Sequence, residues 1–152
     1  MNKEYYMSLA LAEAKKAFIK DEVPAGCVIV LNDEVLAKSY NQKVKKKDPT
    51  SHAEIECIKK ACKKLNSSYL NECEMYVTLE PCIMCAGAII NSRIRKVYIG
   101  TSDPKGGSFG SNTDVNKIKN LNHYPRVEKN ILQDECSKIL KEFFKNKRWY
   151  IA

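Results

Sequence analysis

Between Gly26 and Gly100 the chain switches repeatedly between short β-branched runs and longer segments of helical periodicity. That alternation, more than any other feature, limits the chain to a sheet covered by helices. "GCVIVL" from Gly26 is a short apolar strand, "ND" at Asn32 and Asp33 is a turn, and "EVLAKSY" is the return strand, so the first two strands form a hairpin. A helix then runs from near His52 to about Asn66. The strand "EMYVTL" starts at Glu74, a second helix spans about Cys82 to Ser92, and "KVYIG" follows from Lys96. "RVEKNI" supplies a last short strand. Before the hairpin, Tyr6, Leu9, Ala10, Ala17 and Phe18 recur at helical spacing between about Asn2 and Asp21, with Lys15, Lys16 and Lys20 opposite. Gln133 to Lys147 reads as a final amphipathic helix. Two connections are polar. In "NQKVKKKDPT", Pro49 disfavours helix before it and Ser51 is placed to cap the helix that follows; "TSDPKGGSFGSNTD" is a Gly/Ser/Pro loop. With no internal repeat and no linker, the 152 residues read as a single α/β domain over 1–152, a central sheet with helices on both faces.

Composition narrows the setting. No window approaches 18 apolar residues, which excludes a helical membrane span by length. The N-terminal stretch has no uncharged apolar run and no small-residue cleavage site, so no secretory signal is expected. Seven cysteines, an odd number without a framework spacing, then predict mostly free thiols in a reducing cytoplasm. Lys and Arg outnumber Asp and Glu by 26 to 18, a net charge of +8. Such a surface attracts phosphates and makes nucleic acid a candidate partner. Solvated lysine runs would give the same count.

One cysteine pair stands out by position. In "TLEPCIMCAGAIINSRI" from Thr78, Cys82 and Cys85 lie three apart behind Pro81, at the end of an apolar strand. Random placement of seven cysteines would give roughly 0.3 pairs at this spacing, so spacing alone decides little. Cys57 and Cys62, inside a helical pattern, read as small core residues. Pro81 suits the first position of a helix, which puts Cys82 and Cys85 in its first turn on one side. There the positive end of the dipole favours the thiolate, the form that binds metal. "HAE" places His52 and Glu54 at the start of another helix. Residues two apart in a regular helix point about 200° apart, so these two converge only if His52 sits where the backbone is not yet helical.

His52, Cys82 and Cys85 offer three ligands of the right softness for zinc, leaving a fourth tetrahedral position for water. Four protein ligands would instead make a structural site, and His123 is the other histidine available. Glu54 separates the two, because a carboxylate beside a metal-bound water can take its proton and pass it to a leaving group. The pattern H-x-E … P-C-x-x-C is the signature of zinc nucleobase deaminases.

"DPTSHAE", "TLEPCIMCAGAIINSRI", "VYIGTSDPKGGSFGS" and "NHYPRVEKNILQDECSKILKEFFKNKR" resemble the bacterial tRNA-specific adenosine deaminases of the zinc-dependent cytidine/deoxycytidylate deaminase superfamily, over nearly the whole chain. The resemblance implies a three-layer α/β/α cytidine-deaminase-like fold with a central mixed five-stranded sheet. It implies a homodimer that converts adenosine to inosine at the wobble position of a tRNA anticodon, with one Zn2+ per chain and neither a membrane nor a nucleotide cofactor involved. By matching positions, His52, Cys82 and Cys85 would bind zinc and Glu54 would shuttle protons. Asn41 would contact the substrate, Val23 would line the base pocket, Asp103 would sit in the loop that approaches the RNA backbone of the anticodon stem-loop, and Phe143 and Phe144 would lie on the last helix near the anticodon loop. "GSNTDVNKIKN" is more polar than the corresponding family stretch, and Cys27 stands where a small residue such as alanine is usual.

The zinc motifs are shared with deaminases of free bases and nucleosides, guanine or cytosine among them, which form the nearest alternative. A zinc-stabilised RNA-binding module without catalysis is the other; Glu54 and an open ligand position argue against it. For an RNA substrate, "KVKKK" before His52 and "KNKRW" near the C-terminus would flank the cleft. Tyr40, Phe109, Phe144 and Trp149 are candidates to stack on splayed bases.

Overall fold

The structure, a computed structural model, describes residues 2–147. Its elements are α1 (Lys3–Ile19), β1 (Gly26–Leu31), β2 (Glu34–Tyr40), α2 (Lys43–Lys46), α3 (Ala53–Leu65), β3 (Cys73–Leu79), α4 (Ile83–Ser92), β4 (Lys96–Thr101), β5 (Arg126–Glu128) and α5 (Gln133–Lys145), with a 3₁₀ turn at Val115–Lys117. The strands form one mixed sheet in the order β2-β1-β3-β4-β5. β1 is antiparallel to β2 and to β3, whereas β3, β4 and β5 run parallel. Asn32 and Asp33, at φ 51° and 62°, make the hairpin turn. Positive φ at both central residues is the geometry that matches strand twist. The parallel step from β3 to β4 needs a crossover, and α4 supplies it.

Alternation along β1 divides the core in two. Val28 and Val30 face α1 and α5 together with Tyr76, Tyr98, Met7, Leu11 and Cys136. Cys27 and Ile29 face α3 and α4 together with Met75, Val77, Cys57, Ala86 and Ile89. A strand covered on both faces reads as a continuous apolar run, which is why "GCVIVL" shows no polar residue. At its start, β1 is pressed against α1: a Cβ on Gly26 would stand 1.9 Å from the Ala10 carbonyl oxygen. The three-layer α/β/α arrangement with a mixed five-stranded sheet is the one the family resemblance implies. Among the described residues no helix is long and apolar enough to cross a membrane.

Several local expectations are corrected. The polar stretch before Pro49 contains a helical turn, α2, closed by Lys47 in the left-handed region at φ 50°. The buried carboxylate of Glu22 accepts from Val44 N–H at 3.0 Å and Lys45 N–H at 2.8 Å, so the turn is capped from outside. Ser51 does not cap α3. His52 is the N-cap, and Ser51 Oγ donates to Glu56 Oε2 at 2.9 Å. Pro81 is not the first helical residue, because Cys82 is the N-cap of α4. α1 buries Met7, Leu11 and Ala14 beside Tyr6, Ala10 and Ala17, while Leu9 and Phe18 stay half-buried on its flanks.

Candidate active site

The C-terminal ends of β3 and β4, the start of β1 and the end of β2 meet at one edge of the sheet, where clefts form in α/β folds. Two helices begin there. His52 (φ −76°, ψ 158°) is the N-cap of α3 and Cys82 (φ −74°, ψ 176°) is the N-cap of α4, both with extended backbone. Neither side chain caps its helix. An N-cap hydrogen bond is worth about 0.5–2 kcal/mol, and both helices forgo it, which frees the two side chains to turn into the cleft. His52 Nδ1 lies 3.7 Å from Cys82 Sγ and 3.5 Å from Cys85 Sγ. The three form a group whose ligand atoms all fall within 4.8 Å of one another, able to hold a metal ion. His123 is not part of it: its Nε2 lies 2.6 Å from the Ile94 carbonyl oxygen.

The thiols are electrostatically unequal. The hydrogen bond from Cys85, helped by His52 and opposed by burial, pulls Cys82 down to about 3. The same bond, together with burial, pushes Cys85 far up. Cys82 is therefore the ready thiolate, and Cys85 keeps its proton until a cation displaces it. The Cys82 bond raises the His52 imidazole above its ordinary value, against burial.

Glu54, the second residue of α3, is 5% exposed. Burial pushes its pKa up to about 7, against its own backbone N–H and the His52 charge, which favour the carboxylate. A carboxyl group poised near neutrality can both take and give a proton, as general acid–base catalysis requires.

A cleft of 170 Å³ opens on these groups, lined by Val23, Ala25, Asn41, Lys43, His52, Glu54, Leu79, Glu80, Cys82 and Asp103. The structure thus brings Val23, Asn41 and Asp103 together with His52, Glu54 and Cys82, while Cys85 lies fully buried behind them. Asn41 is buried and its N–H donates to the Ala25 carbonyl at 3.1 Å. Phe143 and Phe144 do not line the cleft. Phe143 is buried with its ring 6.0 Å from that of Phe18, and Phe144 is 44% exposed on α5. Of the other stacking candidates, Phe109 is buried, the Tyr40 hydroxyl accepts from Lys20 Nζ at 2.7 Å, and Trp149 lies outside the described residues, as does Arg148 of the C-terminal basic run. A larger groove of 490 Å³ between α1 and α5 is floored by Leu11, Phe18, Ile19 and Ile139, away from the metal-binding group.

Sequence reasoning missed three buried carboxylates around the cleft. Glu22 holds α2. Glu56 pairs with Lys46 Nζ at 2.7 Å and Ser51, tying α2 to α3. Glu80 accepts from Asp103 N–H at 3.2 Å, Phe109 N–H at 2.9 Å, Ser111 N–H at 3.2 Å and the Ser111 hydroxyl. Burial acts to raise Glu80, but these donors outweigh it and hold the carboxyl below its usual range. The signal for Glu80 was visible: a charged residue at the end of an apolar strand, one place before Pro81.

Comparison with known proteins agrees with this geometry. The model of the MafB19-like deaminase family matches residues 1–148. A tRNA-specific adenosine deaminase of Aquifex aeolicus (strain VF5) is 48% identical over 148 residues, covering 97% of this chain and 97% of that protein. One of Bacillus subtilis (strain 168) is 43% identical, covering 95% of this chain and 90% of that protein. A solved structure from work on A-to-I editing by tRNA:A34 deaminases at the wobble position of transfer RNA superimposes with a TM-score of 0.85 at 43% identity, covering 90% of this chain and 99% of that one. The chain belongs to the MafB19-like deaminase family and, within it, to the group of tRNA-specific adenosine deaminases.

Proposed function

We propose that this chain hydrolyses adenosine to inosine at the wobble position of a tRNA anticodon in the cytoplasm, with one zinc ion held by His52, Cys82 and Cys85. The observation that carries the reading is the metal-binding group and the buried Glu54 opening on one cleft. The donors fit zinc. Tetrahedral bonds of about 2.3 Å to sulfur and about 2.05 Å to nitrogen place the two donor atoms roughly 3.6 Å apart. The nitrogen–sulfur distances here are 3.7 and 3.5 Å. Zinc held there would supply an activated water. Glu54 is the group that would carry the protons, its buried carboxyl taking one and giving it to the amine that leaves carbon 6 of the purine, so that overall water is consumed and ammonia released.

Val23, Asn41 and Asp103 line the same cleft and are assigned to the substrate. Val23 offers an apolar wall, Asn41 an amide for the base, and Asp103 a contact at the mouth. On α5, Phe144 has the exposed ring to offer the anticodon stem-loop, and Phe143 supports it from below, the two rings 5.3 Å apart. A base held in a stack cannot reach the cleft, so an exposed loop nucleotide lowers the unstacking cost. A homodimer would use the outer face of α4. Ile83 is 61% exposed there, Ile90 is half-buried, and a Cβ on Gly87 would meet nothing within 4 Å. Sedimentation of only monomer at micromolar concentration would remove the dimer.

The deciding experiment measures inosine formation by the zinc-loaded protein on anticodon stem-loops beside free adenosine, cytosine and guanine. Turnover of the stem-loop alone is the expected result. Equal or greater turnover of a free base or nucleoside would replace this function with that of a small-molecule deaminase.

A further inference from the structure

Glu80 has no part in the chemistry just described, yet its carboxylate is 2% exposed and satisfied on both oxygens. Oε1 accepts from Asp103 N–H and the Ser111 hydroxyl; Oε2 accepts from Phe109 N–H and Ser111 N–H. None of these partners is a cation. All belong to one segment between β4 and the 3₁₀ turn that forms neither helix nor strand of its own. The segment is wrapped tightly on the carboxylate: a Cβ at Gly107 would stand 2.4 Å from Glu80 Cδ and 2.6 Å from the Asp103 carbonyl oxygen. At one end this segment carries Asp103 into the cleft. The anchor itself sits two residues before Cys82, and its own N–H donates to the Thr101 carbonyl at 2.9 Å. One short stretch, Glu80 to Cys82, therefore fixes both a metal ligand and the wall that faces it.

We propose that Glu80 is a positioning residue, whose carboxylate holds the segment 103–111 as the substrate-binding wall of the deaminase cleft at a set distance from the metal ligands. The inference rests on the function proposed above. A buried carboxylate that accepts four hydrogen bonds from three residues fixes three positions of a loop at once. Ordinary loops lack such a hub and sample many conformations. The wall is thereby organised before the RNA arrives, and the ordering cost is not charged to binding.

Glu80→Gln tests this with little change of volume. The amide keeps one acceptor oxygen but turns two donors toward backbone N–H groups. In the zinc-loaded protein, KM for the stem-loop is expected to rise at least tenfold, with kcat changed less than threefold and zinc content unchanged. Amide hydrogen exchange at Asp103, Phe109 and Ser111 is expected to accelerate at least tenfold, while α4 keeps its protection. Ser111→Ala, which removes one donor and leaves the backbone intact, serves if Glu80→Gln does not fold; a threefold or greater rise in KM is expected. Unchanged KM, or a fall in kcat or zinc content with KM unchanged, overturns the proposal. If the wild-type protein makes no inosine, the proposed function fails on its own account, and the exchange rates still decide the anchor: retained protection at the three amides overturns it.

Discussion

Replacing Glu54 by glutamine separates two properties that one carboxyl group holds in opposition. In the metal-free protein, burial lifts Glu54 from 4.5 to about 7. A folded-state pKa above the unfolded one means that the wild-type chain keeps its full stability below about pH 4.5. It loses stability as pH rises from there through about 7, because the unfolded chain releases this proton while the folded state, which resists burying the charge, still holds it. A displacement of that size, at about 1.36 kcal/mol per pH unit, corresponds to about 3 kcal/mol. Glu54 is 5% exposed, so solvent screening does little to reduce it. Glutamine carries no charge to bury. Chelated Glu54→Gln should therefore match the wild type in urea denaturation at pH 4 and exceed it by about 3 kcal/mol at pH 8.5. Reloaded with zinc, the same variant should lose activity by at least about 10²–10⁴-fold, since one group serves more than one proton transfer. A stability difference that does not change with pH, or inosine formation within tenfold of the wild type, would refute the reasoning.

In chelated protein, alkylation of Cys82 by iodoacetamide should be nearly independent of pH from about 5 to 8, because its pKa is drawn down to about 3; a free thiol slows about tenfold per pH unit. A slope of that kind at Cys82 in mass-spectrometric mapping would contradict the thiolate assignment. Lys43 lines the cleft mouth, whereas its neighbour Lys46 is paired with Glu56; Lys43→Gln should reduce the slope of log stem-loop affinity against log salt by about 0.7, the value for one lost single-strand phosphate contact. An unchanged slope would remove Lys43 from the RNA path. Gly26→Ala should destabilise the fold by about 3 kcal/mol or more, because the new Cβ meets backbone atoms of α1 at 1.9 and 2.6 Å that cannot move independently of the helix. A melting temperature within two degrees of the wild type would show that β1 and α1 separate more easily than their contact implies.

The groups that carry chemistry were legible because they sit in short motifs whose geometry is local. Cys82 and Cys85 share one turn, and His52 and Glu54 converge because the N-cap backbone is extended, as the sequence argument required. The sheet was legible for a similar reason: strands buried on both faces are continuous apolar runs. The supporting carboxylates were less so. Glu80 stands out only as a charge that ends an apolar strand and Glu22 has no local mark, and their partners lie far along the chain: Glu22 is separated from Val44 by 22 positions, and Glu80 from Ser111 by 31. α2 was hidden by the same effect, because a run of lysines offers no N-terminal cap and the Glu22 carboxylate arrives from the α1–β1 connection. Val23, Asn41 and Asp103 have no local signature either; family resemblance pointed to them, and the fold brings them to the metal-binding group.

His52 and Cys82 stand 30 positions apart in the chain, on opposite sides of β3, and are gathered at one point. A metal ion joining them would act on the unfolded chain as a crosslink does. Closing a loop of this length costs a free polymer about 3–4 kcal/mol of configurational free energy, which a persistent bridge would remove from the unfolded side of the balance. The closed loop encloses α3 and β3, the segment that joins the antiparallel hairpin to the parallel half of the sheet. A zinc ion held by these ligands would therefore also act as a clasp, and the chelated chain should unfold at a lower urea concentration than the loaded one.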